Sequence, residues 1–129
     1  MIRALEEKDL MLLNEWVFEW RNLRFASQYY EADTDVKDGF ICDDTAAGWL
    51  IEASRKLAFL DGFIASPFAS KQQRDESLDA LSQHLLAVCK ERGVKRVYAI
   101  TYVPAIINRA LSLGFVVQTQ QNTLLVKEL

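Results

Sequence analysis

Glycine and proline are scarce in this chain, 5 and 2 of its 129 residues, while half of it is hydrophobic. That balance excludes a collagen-like, low-complexity or disordered polypeptide. Cysteine and histidine are scarcer still. Cys42 and Cys89 lie far apart and His84 is the single histidine, so no ligand set has metal-site spacing, no metal is expected, and both cysteines read as free buried thiols. Long apolar runs are also missing, since charge interrupts each of them well before the roughly 18 residues of a membrane span. The opening MIRALEEKDL is acidic where a secretion signal would be basic. A cytoplasmic protein, with no membrane association, is the expectation. Positive charge is not in excess either: the net charge is -3, and Glu31 to Thr45 holds six acids against one lysine. A nucleic-acid-binding face would carry the opposite sign, so no nucleic-acid partner is expected. This stretch reads as a solvated acidic loop or as a docking site for a cationic substrate or basic partner. A chain of 129 residues is expected to make one domain, residues 1–129, that folds alone or as a homodimer.

What is present is a clear alternation of periods. After a short strand, Ile2 to Leu5, apolar residues recur at helical spacing at Leu10, Leu13, Val17 and Trp20, with Leu12 and Trp16 widening the stripe. The pattern dissolves after Arg21 into a loop or short second helix. Phe40 to Asp43, Ala47 to Ala53 and Lys56 to Pro67 then read as three antiparallel strands joined by tight turns. Asp61-Gly62 within the last run is either a two-residue hairpin or a glycine bulge in one long strand.

The strongest helix follows, SKQQRDESLDALSQHLLAVCKERG from Ser70 to Gly93. Leu78, Leu81, Leu85 and Val88 form its stripe, and Gly93 sits where a helix end favours a left-handed residue. Val94 to Thr101 reads as a strand, reached through a helix and so parallel to its neighbour. A short helix from Pro104 to Gly114 comes next, and a hairpin of Phe115 to Gln120 with Thr123 to Glu128 closes the chain.

This order, with its wording, resembles the GCN5-related N-acetyltransferase superfamily across nearly the whole chain. IRALEEKDL resembles the family's opening strand and helix, AGWLIEA its third strand and LAFLDGFIASP its bulged fourth strand. CKERGVKRVYAIT resembles the end of its long helix and its fifth strand, and LSLGFVV its closing Leu-Gly-Phe element. The resemblance implies an α/β fold with a mixed, mainly antiparallel sheet, splayed between strands 4 and 5 and flanked by helices. It also favours the bulge over the hairpin at Gly62.

The resemblance further implies acetyl-CoA as co-substrate. Backbone groups of Ile64, Ala65 and Ser66 would run along the pantetheine, with Gln73, Arg74 and Ser77 near the pyrophosphate. The family's signature in the first turn of the long helix, Gln/Arg-x-x-Gly-x-Gly/Ala, aligns with Gln73 to Leu78. Gln73 fits, but Glu76 and Leu78 stand in place of both glycines, and Asp75 and Glu76 compete for the helix dipole with an anionic ligand. The turn therefore reads as capped by its own side chains, although Lys71 and Arg74 could hold phosphates, with Ser70 and Ser77 as further donors.

For catalysis, the family's usual tyrosine acid on the last helix is replaced by Ala110. Tyr102, at the end of the fifth strand, is the substitute candidate; its bland alternative is a tyrosine packed at a strand end. Asp61 shares a strand face with Phe59 and Phe63 if alternation holds, a setting that makes a carboxylate a better proton acceptor, and is the candidate base. Its alternative is a surface carboxylate turned out by the bulge, and Glu52 is a second choice. Tyr29 and Tyr30 are candidates for a wall around the acceptor or for anchors of their loop. His84, one step off the stripe, reads as a boundary residue. Two functions follow: an N-acetyltransferase of a small-molecule or protein amine by direct transfer, or a non-catalytic domain of the same fold that binds proteins.

Overall fold

The computed structural model describes residues 1–20, 38–54, 56–101, 103–118, 125, 127 and 129. Five strands form one sheet in sequential order: β1 (Ile2–Ala4), β2 (Gly39–Cys42), β3 (Ala46–Glu52), β4 (Leu57–Ala65) and β5 (Arg96–Tyr98). The first four pair antiparallel and β5 lies parallel to β4. Helices α1 (Leu10–Trp20), α2 (Lys71–Glu91) and α3 (Pro104–Ser112) complete the architecture. None of the described helices is long and apolar enough to cross a membrane.

Alternation along the strands divides the core into two layers, one on each face of the sheet. Leu13, Trp16 and Val17 of α1 pack with Leu5, Ile41, Ala47 and Trp49. Leu81, Leu85 and Cys89 of α2 pack with Cys42, Ala46, Leu50, Ala58, Leu60 and Ala65. The stripe read from α1 therefore faces the sheet as expected, except at its last residue: Trp20 is 44% exposed and reaches the rim of the sheet instead.

Gly62 resolves the hairpin-or-bulge alternative. The strand is continuous from Leu57 to Ala65, and Gly62 takes φ +68. The register passes from Trp49↔Asp61 to Ala47↔Ile64, so Gly62 and Phe63 together oppose Gly48. An extra residue inverts the alternation beyond it. Ala58 and Leu60 face α2 before the bulge, and Phe63 and Ala65 do so after it, while Ile64 turns to the α1 side. The expected common face of Asp61 and Phe63 is thereby corrected: Asp61 lies across from Trp49 on the α1 side, and Phe63 lies on the other. Phe63 covers Gly48, where an added Cβ would come within 2.8 Å of its ring.

Two other expectations have different outcomes. Glycines stop α2 and α3 with φ +79 at Gly93 and +93 at Gly114, as helix ends favour. The closing hairpin, however, is not formed where it can be seen. Residues 115–118 have no strand structure, and its other residues mostly lie outside the described ones. Phe115 nevertheless packs on the α2 layer. Both cysteines are free and buried.

Candidate functional site

The sheet opens at one place. The β4–β5 ladder runs Leu57↔Arg96, Ala58↔Val97, Phe59↔Tyr98 and stops, whereas β4 continues to Ala65. Residues 60 to 65, six residues or about 20 Å of strand at 3.3 Å each, thus present an edge to which no described strand is paired. A strand edge is a row of backbone donors and acceptors ready for a partner in extended conformation. Phe59 and Tyr98 mark the apex with their rings 5.6 Å apart.

The end of that edge already has an occupant. Ala65 pairs across from Ala46, and the neighbouring Ser66 N–H donates to the Thr45 carbonyl at 2.7 Å. Antiparallel alternation then turns the Ala65 carbonyl away from β3, toward the open side. Trp20 Nε1 donates to this carbonyl at 2.7 Å. The guanidinium of Arg74 lies over the Trp20 ring, 5.4 Å from its centroid, and also donates to the Ala69 carbonyl at 2.6 Å.

The N-terminus of α2 lies just beyond. Ser70 is its N-cap: Ser70 Oγ accepts from Gln73 N–H at 3.1 Å, and Gln73 Oε1 accepts from Ser70 N–H at 2.9 Å. This reciprocal box satisfies two of the donors a helix start leaves open. The turn is thus capped by its own side chains, but not by the expected ones. Asp75 and Glu76 fall past the first turn. Asp75 binds Lys71 Nζ at 2.7 Å and Arg109 of α3 at 3.3 Å, and Glu76 accepts from Gln72 at 3.0 Å. Arg109 also bridges to Asp79. The hydrogen bond from Lys71, with a smaller contribution from Arg109, holds the Asp75 carboxyl below its usual range against the opposing effect of burial.

The other candidates are distributed as follows. Ser77 is 8% exposed and faces the Cys42 thiol, whose pKa is raised, chiefly by burial and then by Asp43; it points into the core, away from the turn's solvent side. Ser66 is buried and accepts from Phe68 N–H at 3.2 Å. Asp61 sits two residues past the apex pair and accepts from Gly62 N–H at 2.8 Å. Glu52 is at the opposite, closed end of the sheet, across from Ala58, and is held by Arg92 at 2.7 Å. It is too remote from the opening to serve there. Leu78 packs on the α2 layer instead of filling the opening. His84 packs edge-on to Phe40 at 5.2 Å, as a boundary residue. Tyr29, Tyr30 and Tyr102 lie outside the described residues. Of the acidic stretch, Asp38 pairs with Arg92 at 3.1 Å, Asp43 with the N-terminal amine and Asp44 with Arg3 at 3.5 Å. Among the described residues no group of three His, Cys, Asp or Glu side chains could hold a metal ion.

The fold has counterparts among proteins of known structure. An acetyltransferase from Trypanosoma brucei superposes with a TM-score of 0.65 at 16% identity, covering 98% of this chain and 99% of that one. The chain has the fold of the GCN5-related N-acetyltransferases. An aminoglycoside N-acetyltransferase with this fold, solved with CoA, superposes at 0.66 and 15% identity over the full length of both chains. A Mycobacterium tuberculosis protein solved with CoA gives 0.65 at 16% identity, over 84% of this chain and 69% of that one. No family model and no curated protein matches the sequence.

Sequence reasoning did not single out Trp20, which meets the Ala65 carbonyl and the Arg74 guanidinium. Its position continued the stripe of Leu10, Leu13 and Val17, and nothing in the spelling of α1 distinguishes a side chain that enters the core from one that passes the edge of the sheet. The acetyltransferase fold as a whole, by contrast, was legible in the order of elements.

Proposed function

We propose that this domain binds acetyl-CoA along the open edge of β4 and transfers the acetyl group to an amine. The carrying observation is the edge itself: β4 extends from Leu60 to Ala65 beyond its last pair with β5. The amides of a pantetheine arm suit such an edge, which supplies backbone donors and acceptors at strand spacing. The fit is poorer at the pyrophosphate. The Ser70–Gln73 box takes up backbone donors of the first turn, so phosphate would rest on the side chains of Lys71 and Arg74, with Gln73 giving up its cap role to join them. Ile64, Ala65 and Ser66 would line the arm through their backbone, while Ser77 would act only if it left the core.

Bound acetyl-CoA would supply an activated thioester near the apex. Asp61 would take the proton that the incoming ammonium group loses, directly or through water, since it stands two residues from the Phe59–Tyr98 pair. Tyr102 remains the proposed proton donor to the departing thiolate, with Tyr29 and Tyr30 as proposed walls for the amine. Ala110 cannot donate a proton, so the last helix contributes none at the position where the family commonly places a tyrosine.

A second reading has an observation of its own. The Trp20 bond to the Ala65 carbonyl, together with the self-capped turn, is what a domain that had ceased to bind CoA would show. In that case the scaffold serves protein binding. Calorimetric titration with acetyl-CoA separates the two, followed by thiol release measured against a panel of polyamines, aminoglycosides and lysine peptides. Binding with release of thiol in the presence of an amine establishes the transferase; loss of turnover on Asp61→Asn with the affinity for acetyl-CoA unchanged assigns the base. Absence of CoA binding, in the natural protein and in variants with an opened edge, refutes the transferase and leaves the protein-binding module.

A further inference from the structure

We propose that Trp20 is an autoinhibitory latch: its indole holds closed the end of the β4 edge and simultaneously withholds Arg74, so that a CoA-type ligand enters only when Trp20 turns away. This rests on reading that edge as a CoA site. Three features support it independently of one another. The Ala65 carbonyl is turned to the open side and is the last acceptor of the strand, and the indole N–H occupies it at 2.7 Å, a short and well-formed bond. The face of the same ring carries the Arg74 guanidinium at 5.4 Å, within the range of a cation–π contact. Arg74, unlike Lys71, is bound to no carboxylate among the described residues and donates to the Ala69 carbonyl. One side chain therefore engages both an acceptor suited to an amide of the arm and a cation suited to a phosphate.

The latch is also placed to move. The buried anchors of α1, Leu13, Trp16 and Val17, lie at least three residues back from Trp20. Turning the indole out needs no repacking of those three. With 44% of its surface already exposed, Trp20 gives up less burial on turning out than Trp16 or Trp49 would. Among the described residues it is held by one hydrogen bond and one cation–π contact, each modest. The closed form thus lowers the apparent affinity of the site by the fraction of molecules that are open.

The test uses the full chain with CoA as probe, read by acrylamide quenching of tryptophan emission and by calorimetry. Trp16 and Trp49 are 1% and 2% exposed, and the chain has three tryptophans, so quenching reports on Trp20. Trp20→Phe keeps a ring and removes the N–H; Trp20→Ala removes both holds. Each is first checked for an unchanged thermal midpoint. Expected are a change in quenching as CoA binds, absent from Trp20→Phe, and affinities about three- to tenfold tighter for Trp20→Phe and tighter again for Trp20→Ala. Binding by Trp20→Ala but not by the natural protein supports a firmer latch. Equal affinities with unchanged quenching overturn the latch and leave the CoA site standing. Weaker binding by Trp20→Ala makes the indole part of the ligand's own contacts and also overturns it. Failure of all three proteins to bind CoA overturns both the latch and the site beneath it.

Discussion

The two edges of β4 are built differently. Its β3 side is paired almost throughout, from Ala58↔Glu52 to Ala65↔Ala46, interrupted only by the bulge. Its β5 side is paired for three residues and then stops. The same contrast extends outward. On the β3 side both faces of the sheet are covered, and Leu50, Leu81 and Leu85 are at most 1% exposed. On the β5 side, α3 has no buried residue, and Ile100, Ile106 and Leu111 are 65%, 41% and 47% exposed. Stability is concentrated in one half, and the half that could meet a ligand is left incompletely paired. Binding regions are commonly drawn from such less stable parts of a fold.

The comparison is broken most severely from the covered half. Leu85→Ala removes a side chain that is fully buried between α2 and the sheet, and a loss of about 3 kcal/mol is expected in urea unfolding. Leu111→Ala in α3 is the matched control, and its cost should stay within about 0.5 kcal/mol. Equal costs would mean that the two halves are not distinct.

Next in size is the tie at the start of the chain. Asp9 is 7% exposed and accepts two bonds from Arg3 at 2.8 Å each and one from Glu6 N–H at 2.8 Å. Asp9→Asn should cost about 2 kcal/mol. The Arg3 bonds, and then the Glu6 amide, hold the folded-state pKa of Asp9 below its usual value. The sign follows directly: the unfolded chain binds the proton more readily, so the stabilisation is full above the unfolded value, near 4, and disappears as pH falls through the lower folded value. The natural protein should therefore lose stability on acidification more steeply than Asp9→Asn. Parallel curves would show that the pair does not carry this dependence.

Gly62→Ala tests the boundary between the two halves, because the bulge inverts the alternation that places Asp61 and Phe63 on opposite faces. A side chain at φ +68 costs about 1 to 2 kcal/mol, and a shift of the bulge would also disturb the Phe63 ring over Gly48. The smallest expected effect is at the open end. Ser70→Ala removes one member of the capping box and should cost about 1 kcal/mol. If Gln73 is then released toward solvent, CoA affinity should rise; a fall would show that Ser70 itself contacts the ligand.

Much of this molecule was legible before its structure. The 3.6-residue stripes marked α1 and α2, the short apolar runs marked β2 to β4, and the glycines at 93 and 114 marked the helix ends, because each is a local consequence of backbone geometry and burial. Of the closing hairpin only residues 115–118 and isolated positions beyond are described, and 115–118 carry no strand structure. Glu52 was the second choice for the base in sequence, and the register sent it to the closed end and into the hands of Arg92.

By itself, then, the sequence determined the order of elements and the loss of the glycine turn, since periodicity, turn chemistry and the absence of a Cβ are properties of neighbouring residues. Tertiary structure decided where the β4–β5 ladder stops, that Asp61 and Phe63 take opposite faces across the bulge, and that Trp20 ends on the Ala65 carbonyl beside Arg74. These depend on pairing across 45 positions of chain between Trp20 and Ala65, and no local rule carries a contact over that distance.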